Sequence, residues 1–158
     1  MLTWDEAKPH FLADGSWRDI VVADTTNLDW TAMLRWLPDS GYAVAFTEDG
    51  APAPYRDVAD EGLWARQDEC SQMLTVGVPG TPKCHFFSDW EIEFDINPSE
   101  IAGKAAWIAL SEFIRGLARA TGKTVVVTPE NMHELALIRC DPSSGRFEQG
   151  GISLGRAG

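Results

Sequence analysis

The chain has 158 residues, 44% of them hydrophobic and 23% charged, with seven tryptophans and a formal net charge of −11. That length is enough for one hydrophobic core, and that apolar fraction sets the chain apart from disordered sequences, which lack the apolar surface to offset ordering entropy. The negative charge would repel phosphate backbones and anionic lipid, and no apolar run approaches the ~20 residues that cross a bilayer, so neither nucleic acid nor membrane is expected as a partner.

The start of the chain, Met1-Leu-Thr-Trp-Asp-Glu6, lacks the basic flank and apolar block of a signal peptide, and a cytoplasmic location is expected. Cys70, Cys84 and Cys140 are odd in number and form no CxxC pair, so they read as free, mostly buried thiols.

The β-branched run Asp19–Asp24 predicts a strand, and Thr25, Thr26 and Asn27 offer oxygens to cap a following helix. In that helix Trp30, Met33, Leu34 and Leu37 make one apolar stripe, ended by Pro38 and Gly41. Tyr42–Thr47 reads as a second strand and Asp49-Gly50 as a hairpin tip. Residues 48–72 show little periodicity apart from a short helix expected over Val58–Arg66, with Leu63 and Trp64 turned inward. Met73–Val78 and Lys83–Phe87 read as hairpin strands joined by the turn Pro79-Gly-Thr-Pro82.

Glu91-Ile-Glu-Phe-Asp-Ile96 alternates strictly, which puts Ile92, Phe94 and Ile96 on one face and Glu91, Glu93 and Asp95 on the other. Asn97-Pro-Ser-Glu100 predicts the start of a long helix, with Trp107, Leu110, Phe113, Ile114 and Leu117 as its apolar stripe and Gly122 as its left-handed stop. Thr124–Thr128 and Leu135–Cys140 read as strands. The stretch from Ser143 to the end reads as a loose hairpin or a disordered tail. Two strand–helix–strand units, over 19–47 and 91–128, with hairpins between them give a single α+β domain over residues 1–158. It is a two-layer sandwich of a mixed, mainly antiparallel sheet with two principal helices on one face and right-handed crossovers.

Three carboxylates spaced ~6.5–7 Å along one strand face repel by about 0.6 kcal/mol per adjacent pair in water. A solvated strand face would tolerate this. A cationic protein partner would use it, and a divalent metal held by Glu91, Glu93 and Asp95 with His85 would neutralise it. Trp17, Trp64 and Trp90 fall in or beside predicted loops and are the candidate exposed anchors for such a partner, whereas Trp30 and Trp107 are absorbed by helix stripes. His10, His85 and His133 stand in no catalytic motif and are read first as structural. Glu130, after the strand ending at Thr128, is a further candidate acid or base, or simply part of a turn. No GxSxG, GxxxxGK[ST] or GxGxxG signature is present, so no cofactor is expected.

Cys84-His-Phe-Phe87, Glu91–Asp95 with Pro98 and Glu100-Ile101, and Gly122-Lys123 leading into Thr128-Pro-Glu-Asn131 resemble a family of small, uncharacterised bacterial proteins. That family brings no established activity with it. In size, acidity and α+β organisation the chain is also similar to immunity proteins that neutralise bacterial toxins, which implies a non-catalytic inhibitor of a basic toxin. The leading expectation is therefore a protein-binding module for a basic partner through Glu91, Glu93, Asp95 and the three tryptophans. The alternatives are a small metal-assisted enzyme built on the acidic strand and a structural or regulatory subunit.

Overall fold

A computed structural model of the protein describes residues 1–55 and 62–150. A short helix α1 (Trp4–Ala7), closed by a Thr3/Glu6 capping box, runs into a 3-10 turn over Lys8–Phe11. Strand β1 (Arg18–Ala23) follows, then helix α2 (Asn27–Asp39) and the hairpin of β2 (Val44–Glu48) with β3 (Ala51–Pro52). Next come α3 (Gly62–Gln67), β4 (Gln72–Val76), β5 (Lys83–Cys84), β6 (Glu91–Ile96), α4 (Lys104–Thr121), β7 (Val125–Pro129), β8 (Ile138–Cys140) and β9 (Phe147–Gln149).

Among the described residues nine strands form one sheet in the order β3-β2-β4-β5-β6-β1-β7-β8-β9, and every neighbouring pair is antiparallel. β1 therefore sits between β6 and β7. Four antiparallel steps separate β1 from β2 and two separate β6 from β7, so each helical connection joins strands that point the same way. This is the expected α+β sandwich, but its sheet is antiparallel throughout and not mixed, because each crossover is spanned by intervening antiparallel strands instead of pairing the two strands it joins. The hairpin tip at Asp49-Gly50 has φ of 52° and 81°, the pair of positive values that a two-residue turn matched to strand twist requires.

One face of the sheet carries the core. Ile20 and Val22 of β1, Ile92, Phe94 and Ile96 of β6, and Val125 and Val127 of β7 lie under the apolar stripes of α2 (Trp30, Met33, Leu34, Leu37) and α4 (Trp107, Leu110, Phe113, Ile114, Leu117). The two helices touch each other over this face, where Trp36 of α2 meets Phe113 of α4 at 5.6 Å between ring centres. No helix among the described residues is long and apolar enough to cross a membrane.

Some boundaries differ from the pattern in the sequence. Asn97 accepts from the Ser99 amide and caps only a 3-10 turn over Pro98–Glu100; α4 begins four residues later, behind Gly103, without a side-chain cap. The predicted Lys83–Phe87 strand is ladder only at Lys83–Cys84. The last described residues form a paired strand, β9, whereas 151–158, and the first part of the helix expected over Val58–Arg66, lie outside the described residues.

Candidate functional site

Because side chains alternate along strands, the outer face of the sheet is fixed by register. Glu91, Glu93 and Asp95 point outward from β6, and the β1 residues directly across are Ala23, Val21 and Asp19. Asp19 thus stands opposite Asp95 and diagonal to Glu93, adding a fourth carboxylate to the ladder, with Thr128 of β7 across from it on the other side.

The face is not open. After β7 the chain turns at Asn131, which takes the left-handed conformation (φ 59°) that Asn tolerates better than most residues. The Asn131 amide donates to Asp19 Oδ2 (2.9 Å), and the turn brings His133 down onto the acids. His133 Nε2 lies 2.9 Å from Asp19 Oδ2 and 3.4 Å from Glu93 Oε1, while its Nδ1 lies 3.1 Å from Glu91 Oε1. Ligand-type atoms of Asp19, Glu93 and His133 all lie within 4.8 Å of one another. One strand-spacing away, His85 Nε2 faces Asp95 Oδ2 at 3.4 Å, and Asp95 Oδ1 is buried with no hydrogen-bond partner among the described residues.

Burial and like charge set the electrostatics. The Asp19 side chain is only 2% exposed, and those of Glu91 and Glu93 16% and 19%. Burial, then the neighbouring charges of Asp19, Glu91 and Asp95, push the Glu93 carboxyl up to about 7 against the opposing pull of His133. Asp95 is raised as well, by burial and Asp19, with His85 and Lys83 opposing. Burial alone would lower His133, but its hydrogen bond to Asp19 and the charges of Glu91 and Glu93 outweigh this and raise it.

The anchors expected from the sequence separate. Trp90 is exposed at the start of β6. Trp64 is not an exposed anchor: α3 turns it inward, where it packs edge-on to Trp30 at 5.1 Å and against Phe86. Trp17 is half-buried, with the Lys83 ammonium 5.1 Å from its ring centre, and its amide donates to Glu130 Oε1 at 2.9 Å, which occupies that carboxylate structurally. The metal set expected from the sequence, Glu91, Glu93, Asp95 and His85, is divided: of these acids His85 reaches Asp95, and the imidazole that joins Glu91 and Glu93 is His133. His10 is elsewhere, paired with Gln149 at 3.0 Å. The three cysteines are free, and burial pushes Cys84 up to about 12, which makes it an inert thiol at neutral pH.

Asp19 and His133 are the residues that sequence reasoning missed. Asp19 opens an apolar strand and reads there as a flanking residue, and His133 is 114 positions away from it in a polar loop. The available signal was that both border strands that had to pair with or beside β6.

The fold and this face define an antiparallel α+β protein with a carboxylate–imidazole centre on the sheet surface away from its helices. Comparison with family models, with curated proteins and with solved structures finds no match to this chain.

Proposed function

We propose that this protein binds a divalent metal ion through Asp19, Glu93 and His133, with Glu91 as the group that orients His133. The observation that carries this reading is how the two imidazole nitrogens are used. Nε2 faces the point shared by Asp19 and Glu93, while Nδ1 faces Glu91. A carboxylate on Nδ1–H fixes the tautomer that leaves the Nε2 lone pair free, which is how metal-bound histidines are held. The Asn131 amide holds Asp19 in the same way.

One imidazole nitrogen with two carboxylates suits Mn²⁺, Fe²⁺ or Zn²⁺ better than Mg²⁺ or Ca²⁺, which prefer oxygen alone. Three protein ligands leave coordination positions for water or substrate, the condition under which a bound ion does chemistry rather than only bracing a fold. This supports the metal-assisted reading over the solvated-strand reading, and the three ligands come from three separate parts of the chain.

The test is thermal unfolding of chelator-treated protein titrated with Mn²⁺, Zn²⁺, Mg²⁺ and Ca²⁺. An ion that binds only the folded state at 100 times its Kd stabilises by about 2.7 kcal/mol, or roughly 5–10 °C for a chain of this size. Mn²⁺ or Zn²⁺ should raise the melting temperature of wild type and leave Asp19→Asn and His133→Asn unmoved. If neither ion shifts wild type, the reading fails. The binding-module reading draws its support from a neighbouring surface, where Phe87 and Trp90 stand exposed.

A further inference from the structure

Beside the carboxylate–imidazole centre lies a surface that metal binding does not use. Leu28, Phe87 and Trp90 are 81%, 72% and 62% exposed. The segment before β6, which carries Phe87 and Trp90, is clamped to the start of α2, which carries Leu28. The Thr25 amide donates to Trp90 O (3.0 Å), and the Thr25 hydroxyl and Trp30 Nε1 both donate to Asp89 O (2.7 Å each). Phe86, between the stacked pair His85 and Phe87, takes a φ of 56°, a strained value for a bulky residue, and is buried while Phe87 is exposed. Large aromatics held out in water by a strained, hydrogen-bonded segment are what a binding surface needs, since little conformational entropy is left to lose on docking.

The two segments that carry the patch are acidic. Residues 24–29 and 85–91 contain Asp24, Asp29, Asp89 and Glu91 and no Lys or Arg. Lys123 is engaged with the Asp24 carbonyl at 2.7 Å and Asp29 at 3.4 Å. We propose that the patch of Leu28, Phe87 and Trp90 docks a protein segment that presents apolar side chains flanked by Lys or Arg. The aromatics supply the buried centre of that interface and the exposed carboxylates of Asp24 and Asp89 its polar rim, which sets partner choice and association rate.

A phage-displayed random dodecapeptide library selected on the immobilised chelator-treated protein tests this, followed by titration of the enriched peptides against wild type and the Phe87→Ser/Trp90→Ser variant. Both positions are exposed, so the variant should keep the wild-type circular dichroism spectrum and melting temperature. The enriched peptides should be cationic and contain apolar residues. They should bind the variant at least tenfold more weakly, and bind wild type more weakly as salt rises through the range that screens charges. Neutral or acidic winners, equal binding to the variant, or no enrichment over the bare support each overturn the proposal. His133→Asn, which removes the metal centre, should leave peptide binding unchanged, so failure of one reading is distinguishable from failure of the other.

Discussion

At the scale of single residues, His133 is the cross-link between a loop and two strands, and its protonation is tied to its carboxylate neighbours. With both ring nitrogens near carboxylate oxygens, only the imidazolium can donate to both sides in the metal-free protein. A histidine whose value is raised on folding adds stability that is full below its ordinary 6.5 and is lost as pH climbs through the raised value. Glu93, raised from 4.5 to about 7, favours the fold in its protonated form, so its contribution also declines, between pH 4.5 and 7, and Asp95 tilts the same way. The groups that work in the opposite direction, such as Asp141 held down to about 2 by Ser144 and Ser143, act only in stronger acid. Chelator-treated wild type should therefore lose stability steadily from pH 5 to pH 8 by urea unfolding. Glu93→Gln should flatten the lower half of that slope and His133→Asn the upper half. A wild-type midpoint that rises over this interval would contradict the arrangement of charges described.

At the scale of elements, the α2–α4 contact rests on a close approach. A Cβ at Gly116, in the middle of α4, would lie 2.4 Å from the Trp36 ring, which Phe113 and Tyr42 hold from other sides at 5.6 Å each. Alanine would be better than glycine for the helix by about 1 kcal/mol. Overpacking against a wedged ring costs about 1–3 kcal/mol. The clash should win, and Gly116→Ala should lower the unfolding free energy by about 1 kcal/mol in chemical denaturation, whereas the same change on an open helix face would raise it. Elements of this kind are legible in the sequence where their cause is local. The stripe at Trp107, Leu110, Ile114 and Leu117 and the alternation of residues 91–96 each follow from one periodicity, and both elements are found where those patterns place them. Element starts are less legible: Asn97, Pro98 and Glu100 carry every mark of a helix start, yet they satisfy a 3-10 turn, and the Glu100 carboxylate accepts from the Gly80 amide and the Thr81 hydroxyl instead. The site is legible only in its β6 half. Asp19 reaches it through the β1–β6 register and His133 through a turn at Asn131, and neither register nor turn direction is written in a local pattern.

At the scale of the whole molecule, a chain with a net charge of −11 folds so that four of its carboxylates, Asp19, Glu91, Glu93 and Asp95, share one sheet face with two imidazoles. Such concentration opposes compactness, since self-repulsion grows as like charges are brought together in a partly desolvated place. Hydrogen bonds to His85 and His133 offset part of it, and a bound cation would offset more. Replacing Glu91 and Glu93 by Gln and Asp95 by Asn keeps an oxygen acceptor for each imidazole while removing the repulsion. In chelator at pH 8 the triple variant should therefore melt at or above the wild-type temperature, by no more than about 1 kcal/mol because the outer groups are partly screened by solvent. Moderate salt should stabilise wild type more than the variant, since screening acts on the charges the variant lacks. With Mn²⁺ or Zn²⁺ at saturating concentration the order should reverse: wild type gains the free energy of ion binding and the variant, without the Glu93 ligand and the Glu91 orienting group, does not. Melting curves of both proteins, with and without ion, decide the matter in four measurements. A variant less stable than wild type in chelator would show that the ladder's own hydrogen bonds outweigh its repulsion, and if the ions also left wild type unmoved the metal-binding reading would fall with it.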